Sequence, residues 1–195
     1  RKQSIPVVLV NNYLDMDGLV CISADHYGGA VQATEYLCKL GHCKIGLLSG
    51  RFSPQVSEAR IEGFVKTLAK YDIPVDDRFI ADIEPALEDG EEIMTRMLRE
   101  VDRPTAFFCT NDTIAAGAMK AVTRAGLRVP EDIAIIGFDD SYISRVVEPE
   151  LTTVRIDAAK MGCLAMQTLF DLIAGMPVEK AHIQIPTELI VRGTA

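Results

Sequence analysis

Apolar positions recur along this chain with two periods that take turns. Short continuous or alternating apolar runs, the pattern of half-buried or buried strands, occur at Ile5 to Val10, Leu19 to Ser23, Lys44 to Ser49, Phe79 to Ile83, Thr105 to Thr110 and Ile133 to Phe138. Between them, apolar residues fall three or four apart, as on one face of a helix. These stretches predict helices over Gly28 to Leu40, Gln55 to Tyr71, Leu87 to Val101 and Asp112 to Ala125, with Gly41 and Gly126 placed as C-terminal stops. Asn11, Asn12 and Asp17-Gly18 form the turn-rich connection between the first two strands. Strand and helix therefore alternate, which is the mark of βαβ units on a doubly wound α/β sheet.

The last third departs from that rhythm. Leu151 to Arg155 reads as extended, Ala158 to Ile173 as helical, and His182 to Ile185 and Leu189 to Arg192 as strands, so a second lobe is completed here. No internal repeat, low-complexity tract or flexible linker separates the parts, and the lobes are expected to be joined by short crossovers.

Composition adds boundaries to this picture. The 195 residues are 48% hydrophobic and 25% charged, enough for one sizeable core or two small lobes and unlike a disordered chain. No apolar run approaches the roughly 18 residues that span a bilayer, and no signal-peptide core follows the opening Arg1-Lys-Gln-Ser-Ile-Pro, so neither membrane insertion nor export is expected. The net charge of −8 comes from dispersed acids and repels phosphates, so these residues alone are not expected to bind nucleic acid tightly. Five scattered cysteines, mostly in apolar segments, read as buried reduced thiols of a cytoplasmic protein. Cys38, His42 and Cys43 cluster at a helix end but lack a second ligand pair at zinc spacing, so no metal is expected.

Candidate chemistry gathers where strands end. The runs Pro104-Thr-Ala-Phe-Phe-Cys-Thr-Asn-Asp112 and Val129-Pro-Glu-Asp-Ile-Ala-Ile-Ile-Gly-Phe-Asp-Asp140 both stop abruptly on amides or carboxylates. In a parallel sheet they end at one rim, where small molecules bind. Asp112 suits a helix N-cap, whereas Asn111, one residue earlier at the strand tip, offers a donor and an acceptor to a polar ligand. Asp139 and Asp140 repel each other unless a cation, a donor or a ligand hydroxyl compensates, and one of them is expected to face the cleft. Arg60 sits on the border of the apolar face formed by Val56, Ile61, Phe64, Val65 and Leu68; it either snorkels to solvent or clamps a ligand hydroxyl or carboxylate with its planar fork of donors. Asp25 either caps the following helix or, with His26, forms another wall of the crevice.

Taken in order, Asp25-His-Tyr-Gly-Gly-Ala, Leu40-Gly-His-Cys-Lys-Ile-Gly46, Ala59-Arg-Ile-Glu-Gly-Phe64, Thr110-Asn-Asp-Thr-Ile-Ala-Ala-Gly-Ala-Met119, Val129-Pro-Glu-Asp, Gly137-Phe-Asp-Asp140, Leu151-Thr-Thr-Val154 and Glu188-Leu-Ile-Val-Arg192 resemble the motif series of the LacI/GalR family of bacterial transcriptional regulators. The resemblance implies a periplasmic-binding-protein-like effector domain of type I: two Rossmann-like lobes with parallel sheets, holding a small sugar or purine-like effector between them. Residues 44–153 would form the C-terminal lobe; residues 1–43 and 154–195 would form a partial N-terminal lobe. The family contacts carried over are Arg60, Asn111 and Asp139, with Asp25 and His26 beside them. Where family members often place an aromatic residue, this chain has Glu84-Pro85-Ala86, so ring stacking on the ligand is not expected there.

The same resemblance implies a homodimer that meets operator DNA only through a helix-turn-helix region preceding the part represented here, with effector binding shifting the DNA-binding equilibrium allosterically. No cofactor and no catalytic residue are implied. Two other readings share the fold. An enzyme would need a phosphate loop or a nucleophile paired with histidine, and Ser49-Gly50-Arg51 does not match a Walker motif. An exported solute-binding protein would share the lobes but not the Val-Pro-Glu-Asp and Leu-Thr-Thr-Val motifs. A strand at Ile5 to Val10 without sheet neighbours on one side would leave an apolar edge, and self-association is expected from it.

Overall fold

The computed structural model describes residues 5–12, 14, 16, 18–178 and 181–195; Arg1 to Ser4 and Asp17 lie outside them. The chain divides into two compact units, a smaller one of residues 1–25 and 157–187 and a larger one of residues 26–156 and 188–195.

The larger unit is built on a six-stranded sheet. Its strands are β3 (Ile45–Gly50), β4 (Ile80–Ile83), β5 (Ala106–Cys109), β6 (Ala134–Asp139), β7 (Thr152–Arg155) and β9 (Glu188–Ile190), in the order β4-β3-β5-β6-β7-β9. All neighbours are parallel except β7 and β9, which register Val154 opposite Leu189 in antiparallel fashion. Helices α1 (His26–Lys39), α2 (Pro54–Lys70), α3 (Leu87–Met97) and α4 (Asp112–Arg124) cover it. Successive side chains of a strand point to opposite faces, so adjacent residues belong to different cores. Leu47, Phe108 and Ile136 pack with Ala30, Leu37 and Phe64 of α1 and α2, whereas Leu48, Phe107 and Ile135 pack with Met94 of α3 and Ile114 and Val122 of α4. Helices thus lie on both faces, which explains why these strands are apolar throughout.

The smaller unit holds the three-stranded parallel sheet β1-β2-β8, made of β1 (Val8–Val10), β2 (Val20–Ala24) and β8 (His182–Ile185), with α5 (Ala158–Ile173) packed on β1 and β2.

The expected alternation is present, with local corrections. The first strand begins at Val8 rather than Ile5 because Pro6 has no N–H to give to a ladder. Helix α3 stops at Met97 instead of Val101: Arg99 and Glu100 donate to the carbonyls three residues back, tightening the last turn, and Val101 is fully exposed. Gly41 and Gly126 follow α1 and α4 with φ of 91° and 74°, a conformation that only glycine adopts without strain.

The boundaries between the two units fall at 25/26, 156/157 and 187/188. Helix α1 packs its Ala30, Ala33 and Leu37 beside Phe64 and Leu68 of α2, and Gln32 accepts the Leu189 N–H at 3.1 Å, so α1 and β9 both belong with the larger sheet. The cysteines are also less uniform than their apolar surroundings suggest: Cys21 and Cys109 are buried, Cys38 is half-buried, and Cys43 and Cys163 are exposed.

Candidate functional site

Strand β3 leads through α2 to β4 on one side, and the chain then returns through α3 to β5 on the other side of β3. The order of winding reverses between β3 and β5, and the crevice outside the carboxyl ends at such a reversal is the general ligand position of open α/β sheets. Three loops meet this rim in the larger unit: Arg51 to Ser53 after β3, Thr110 and Asn111 after β5, and Asp140 with Ser141 after β6. The Gly50 N–H donates to the Thr110 hydroxyl at 2.7 Å, and the Ser57 hydroxyl donates to the Gly50 carbonyl at 3.2 Å, which fastens the first two loops to α2.

Arg60 does not snorkel. It is 2% exposed and its guanidinium lies 3.8 Å from the centre of the Phe138 ring and 5.1 Å from that of Phe52. Nη1 donates to the Thr110 carbonyl, while Nη2 reaches Asp139 Oδ1 at 3.3 Å and His26 Nδ1 at 3.2 Å. A guanidinium has only donors, so Nδ1 of His26 is the acceptor and the imidazole carries its proton on Nε2. Burial, with the Arg60 charge beside it, lowers the His26 pKa to about 3 and keeps the ring neutral. Arg60 Nε is buried with no hydrogen-bond partner among the described residues.

The Arg60–Asp139 pair is incompletely compensated. Burial lowers the Arg60 pKa to about 10 against the pull of Asp139, and raises that of Asp139 to about 6 against the pull of Arg60. In each partner desolvation outweighs the mutual attraction, the usual balance for an ion pair removed from water. A ligand that donates to Asp139 or accepts from Arg60 would supply what the pair lacks.

Asn111 and Asp112 exchange the structural roles assigned from sequence. Asn111 is the N-cap of α4: its φ of −154° is non-helical and its Oδ1 accepts the Ile114 N–H at 2.8 Å. Asp112 is already inside the helix, where its carboxylate accepts from the Thr153 hydroxyl at 2.5 Å and the Ser141 N–H at 2.6 Å. Asn111 keeps its amide NH2 for other use at the rim. Asn111→Ala is expected to lower stability by about 1 kcal/mol, measured by urea unfolding, because the Ile114 N–H loses its acceptor.

Asp139 and Asp140 face different environments. Asp139 turns to Arg60, whereas the Asp140 side chain is 2% exposed and is held by Arg192, Arg155 and Arg145. The two acids are thus turned to separate cations, and only Asp140 is fully compensated. Asp25 belongs to the smaller unit, where its N–H donates to the Ile185 carbonyl and its carbonyl accepts from Thr187. The structure therefore brings together Arg60, His26 and Asp139, with Asn111 adjoining Thr110 in sequence, and adds Phe52, Phe138 and Thr110, which sequence reading missed. For Phe138 the signal was an apolar residue preceding an acid at a strand end.

Histidines without partners in the sequence acquire them in space. Ser23 Oγ and His182 Nε2 are 2.8 Å apart in the smaller unit, and His42 Nδ1 is 2.8 Å from Thr105 Oγ1. Among the described residues, no group of three acidic, histidine or cysteine side chains could hold a metal ion, and no helix is long and apolar enough to cross a membrane.

Comparison with known proteins gives this rim a context. A family model described as the periplasmic binding protein-like domain matches residues 34–195. The chain is 36% identical to the HTH-type transcriptional repressor PurR of Pasteurella multocida over 191 residues, which is 97% of this chain but 57% of that repressor. The crystal structure of a regulatory protein of the LacI family from Chloroflexus aggregans superposes with a TM-score of 0.91 at 31% identity, over 97% of this chain and 68% of that one. A LacI family transcriptional regulator from Enterococcus faecium, solved with bound ribose, matches with a TM-score of 0.88 at 27% identity, over 97% of this chain and 70% of that one. The chain thus spans little more than half of its repressor relative, and its own rim residues coincide with the motifs that suggested the resemblance. The protein belongs to the periplasmic binding protein-like domain family and, within it, to the LacI family of transcriptional regulators.

Proposed function

We propose that this chain is the effector-sensing part of a LacI-type transcriptional regulator, and that a small hydroxylated or purine-like molecule binds at the rim of the larger unit and shifts operator binding. The observation that carries the reading is the buried Arg60 with its incompletely compensated partner Asp139 at the reversal point of the sheet. Arg60, Asn111 and Asp139 are the ligand-facing groups, and His26, held neutral, orients Arg60 from behind. Asp25 is kept as a candidate for the rim of the smaller unit. The ribose bound to the Enterococcus faecium regulator supports a sugar as one effector class. In this reading the intact regulator works as a cytoplasmic homodimer, and DNA contact is made by a region outside these residues. The role is sensing and not catalysis: the rim histidine is committed to Arg60, and the similar proteins are named as repressors and regulators.

Thermal-shift screening of the intact regulator against sugars and purines, followed by operator binding in the presence of each hit, tests the proposal. A library that leaves both melting and operator affinity unchanged would overturn it. The pH dependence offers a further check. A carboxyl with a raised folded-state pKa favours the folded state below the ordinary carboxylate range and loses that contribution as pH rises through about 6. A ligand hydroxyl that donates to Asp139 prefers the opposite, ionised form. Effector affinity is therefore expected to fall as pH drops through about 6, and titration calorimetry at several pH values would detect it.

A further inference from the structure

Asp139 reaches Arg60 from an unusual backbone. Both Asp139 and Asp140 have positive φ, 108° and 51°. The second value lies near the left-handed region that aspartate tolerates, while the first is strained for any side-chain-bearing residue and persists only if its surroundings impose it.

Those surroundings are a dense polar clamp on the residues that follow. Asp140 Oδ1 accepts from Arg192 Nη2 at 2.5 Å and from the Ser144 hydroxyl at 3.1 Å, and Oδ2 accepts from Arg155 Nε at 2.7 Å and from Arg145 Nη2 at 3.5 Å. Burial pushes the carboxyl up, but the bonds from Arg192, Arg155 and Ser144 outweigh it and hold the pKa at about 2. Arg192 is anchored in turn, donating to the Leu151 carbonyl at 2.7 Å, and its own N–H reaches the Thr152 hydroxyl at 2.9 Å. The backbone of the turn is pinned as well: the Asp140 N–H points to Thr153 Oγ1 at 3.4 Å, and the Ser141 N–H meets Asp112.

Several donors spent on one buried carboxylate exceed what joining β6 to β7 requires, since those strands already register through Asp139 opposite Arg155. We infer that Asp140 and Arg192 are positioning residues of the effector site, which never meet the ligand but fix the strained turn that aims the Asp139 carboxylate at Arg60. The inference rests on the proposed reading of Asp139 as ligand-facing.

Carbon-detected NMR titration of the Asp139 carboxyl, with the Arg60 guanidinium resonances, tests it on the protein without any effector. The charged and titratable groups around Asp139 are Arg60 and Asp112, with His26 behind Arg60. Asp139→Asn assigns the signal. Asparagine and glycine accept φ of 51° readily, so Asp140→Asn and Asp140→Gly remove the clamp without penalising the backbone at that position. Arg192→Lys alters the clamp at constant net charge, which separates repositioning from the loss of a neighbouring negative charge, and it decides the matter if the Asp140 variants fail to fold.

If the inference holds, these variants keep the wild-type methyl spectrum of the core while the released Asp139 carboxylate turns into water; losing burial, the largest cause of its raised pKa, outweighs losing the Arg60 attraction, so its midpoint falls from about 6 toward the ordinary carboxylate range and the Arg60 signal loses protection. A folded Arg192→Lys protein with an unchanged Asp139 midpoint and unchanged Arg60 resonances would overturn it. An effector screen without hits would sink the proposed function and leave this titration standing, so the two failures are distinguishable.

Discussion

Arg60→Ala should abolish the effector response of the intact regulator and lower its unfolding free energy by about 3 kcal/mol, the lower end of what breaking a buried ion pair costs. The lower end applies because 37% of the Asp139 side chain is exposed and can relax toward water once its partner is gone. The cost arises from what the substitution strands: the Thr110 carbonyl and the Nδ1 of His26 lose their donor, and the Phe138 face loses the cation stacked at 3.8 Å. Arg60→Lys separates the two effects. It restores the charge but cannot serve the carbonyl, the imidazole and the carboxylate at once, so stability should recover further than ligand affinity does. Urea unfolding measures the first quantity without any ligand, and thermal shift with a screened effector measures the second. Wild-type affinity in a folded Arg60→Ala protein would remove Arg60 from the site.

That expectation was only half legible in the sequence. The border position of Arg60 on its helix is a local property of the residues from Val56 to Leu68, but whether the side chain snorkels depends on partners 34 and 79 residues away, His26 and Asp139. The exchange between Asn111 and Asp112 has the same origin. Both side chains can cap a helix; Thr153 and Ser141, 41 and 29 residues downstream, engage Asp112 and leave the cap to Asn111. By contrast, the alternation of strands and helices, the stops at Gly41 and Gly126, and the gathering of polar residues at strand ends all follow from short-range periodicity and backbone preference, which the sequence itself carries. Sheet membership was not. Nothing local to Glu188–Ile190 distinguishes a strand of the smaller sheet from one that pairs antiparallel with β7, because the partner is the backbone edge of Thr153 to Arg155, distant in sequence.

The 195-residue chain should self-associate in the micromolar range, and the smaller unit carries the reason. Among the described residues β1 is an edge strand of a three-stranded sheet, and its Val10 is exposed along with Ile5 and Val7 just ahead of it. Helix α5 buries Met161, Ala165 and Thr168, yet its other side presents Met166, Phe170 and Ile173, a second apolar stripe at helical spacing with exposures of 50%, 59% and 64%. A helix apolar on two sides is a helix that has a cover on both, and an uncharged edge strand is a template for another strand. In isolation the cover available is a second copy. Phe170→Glu and Val10→Lys each place a charge where an apolar contact would form, so each should weaken association by roughly tenfold or more, since a desolvated charge costs at least the 1.4 kcal/mol that a tenfold change represents. Neither side chain contributes to the buried core of its unit, so the melting temperature of the monomer should stay near that of the parent, which separates a lost interface from a lost fold. Sedimentation velocity over a concentration series reads the outcome directly: a parent chain that remains monomeric at every micromolar concentration would mean that this apolar surface is tolerated by water and that the edge of β1 recruits no partner strand.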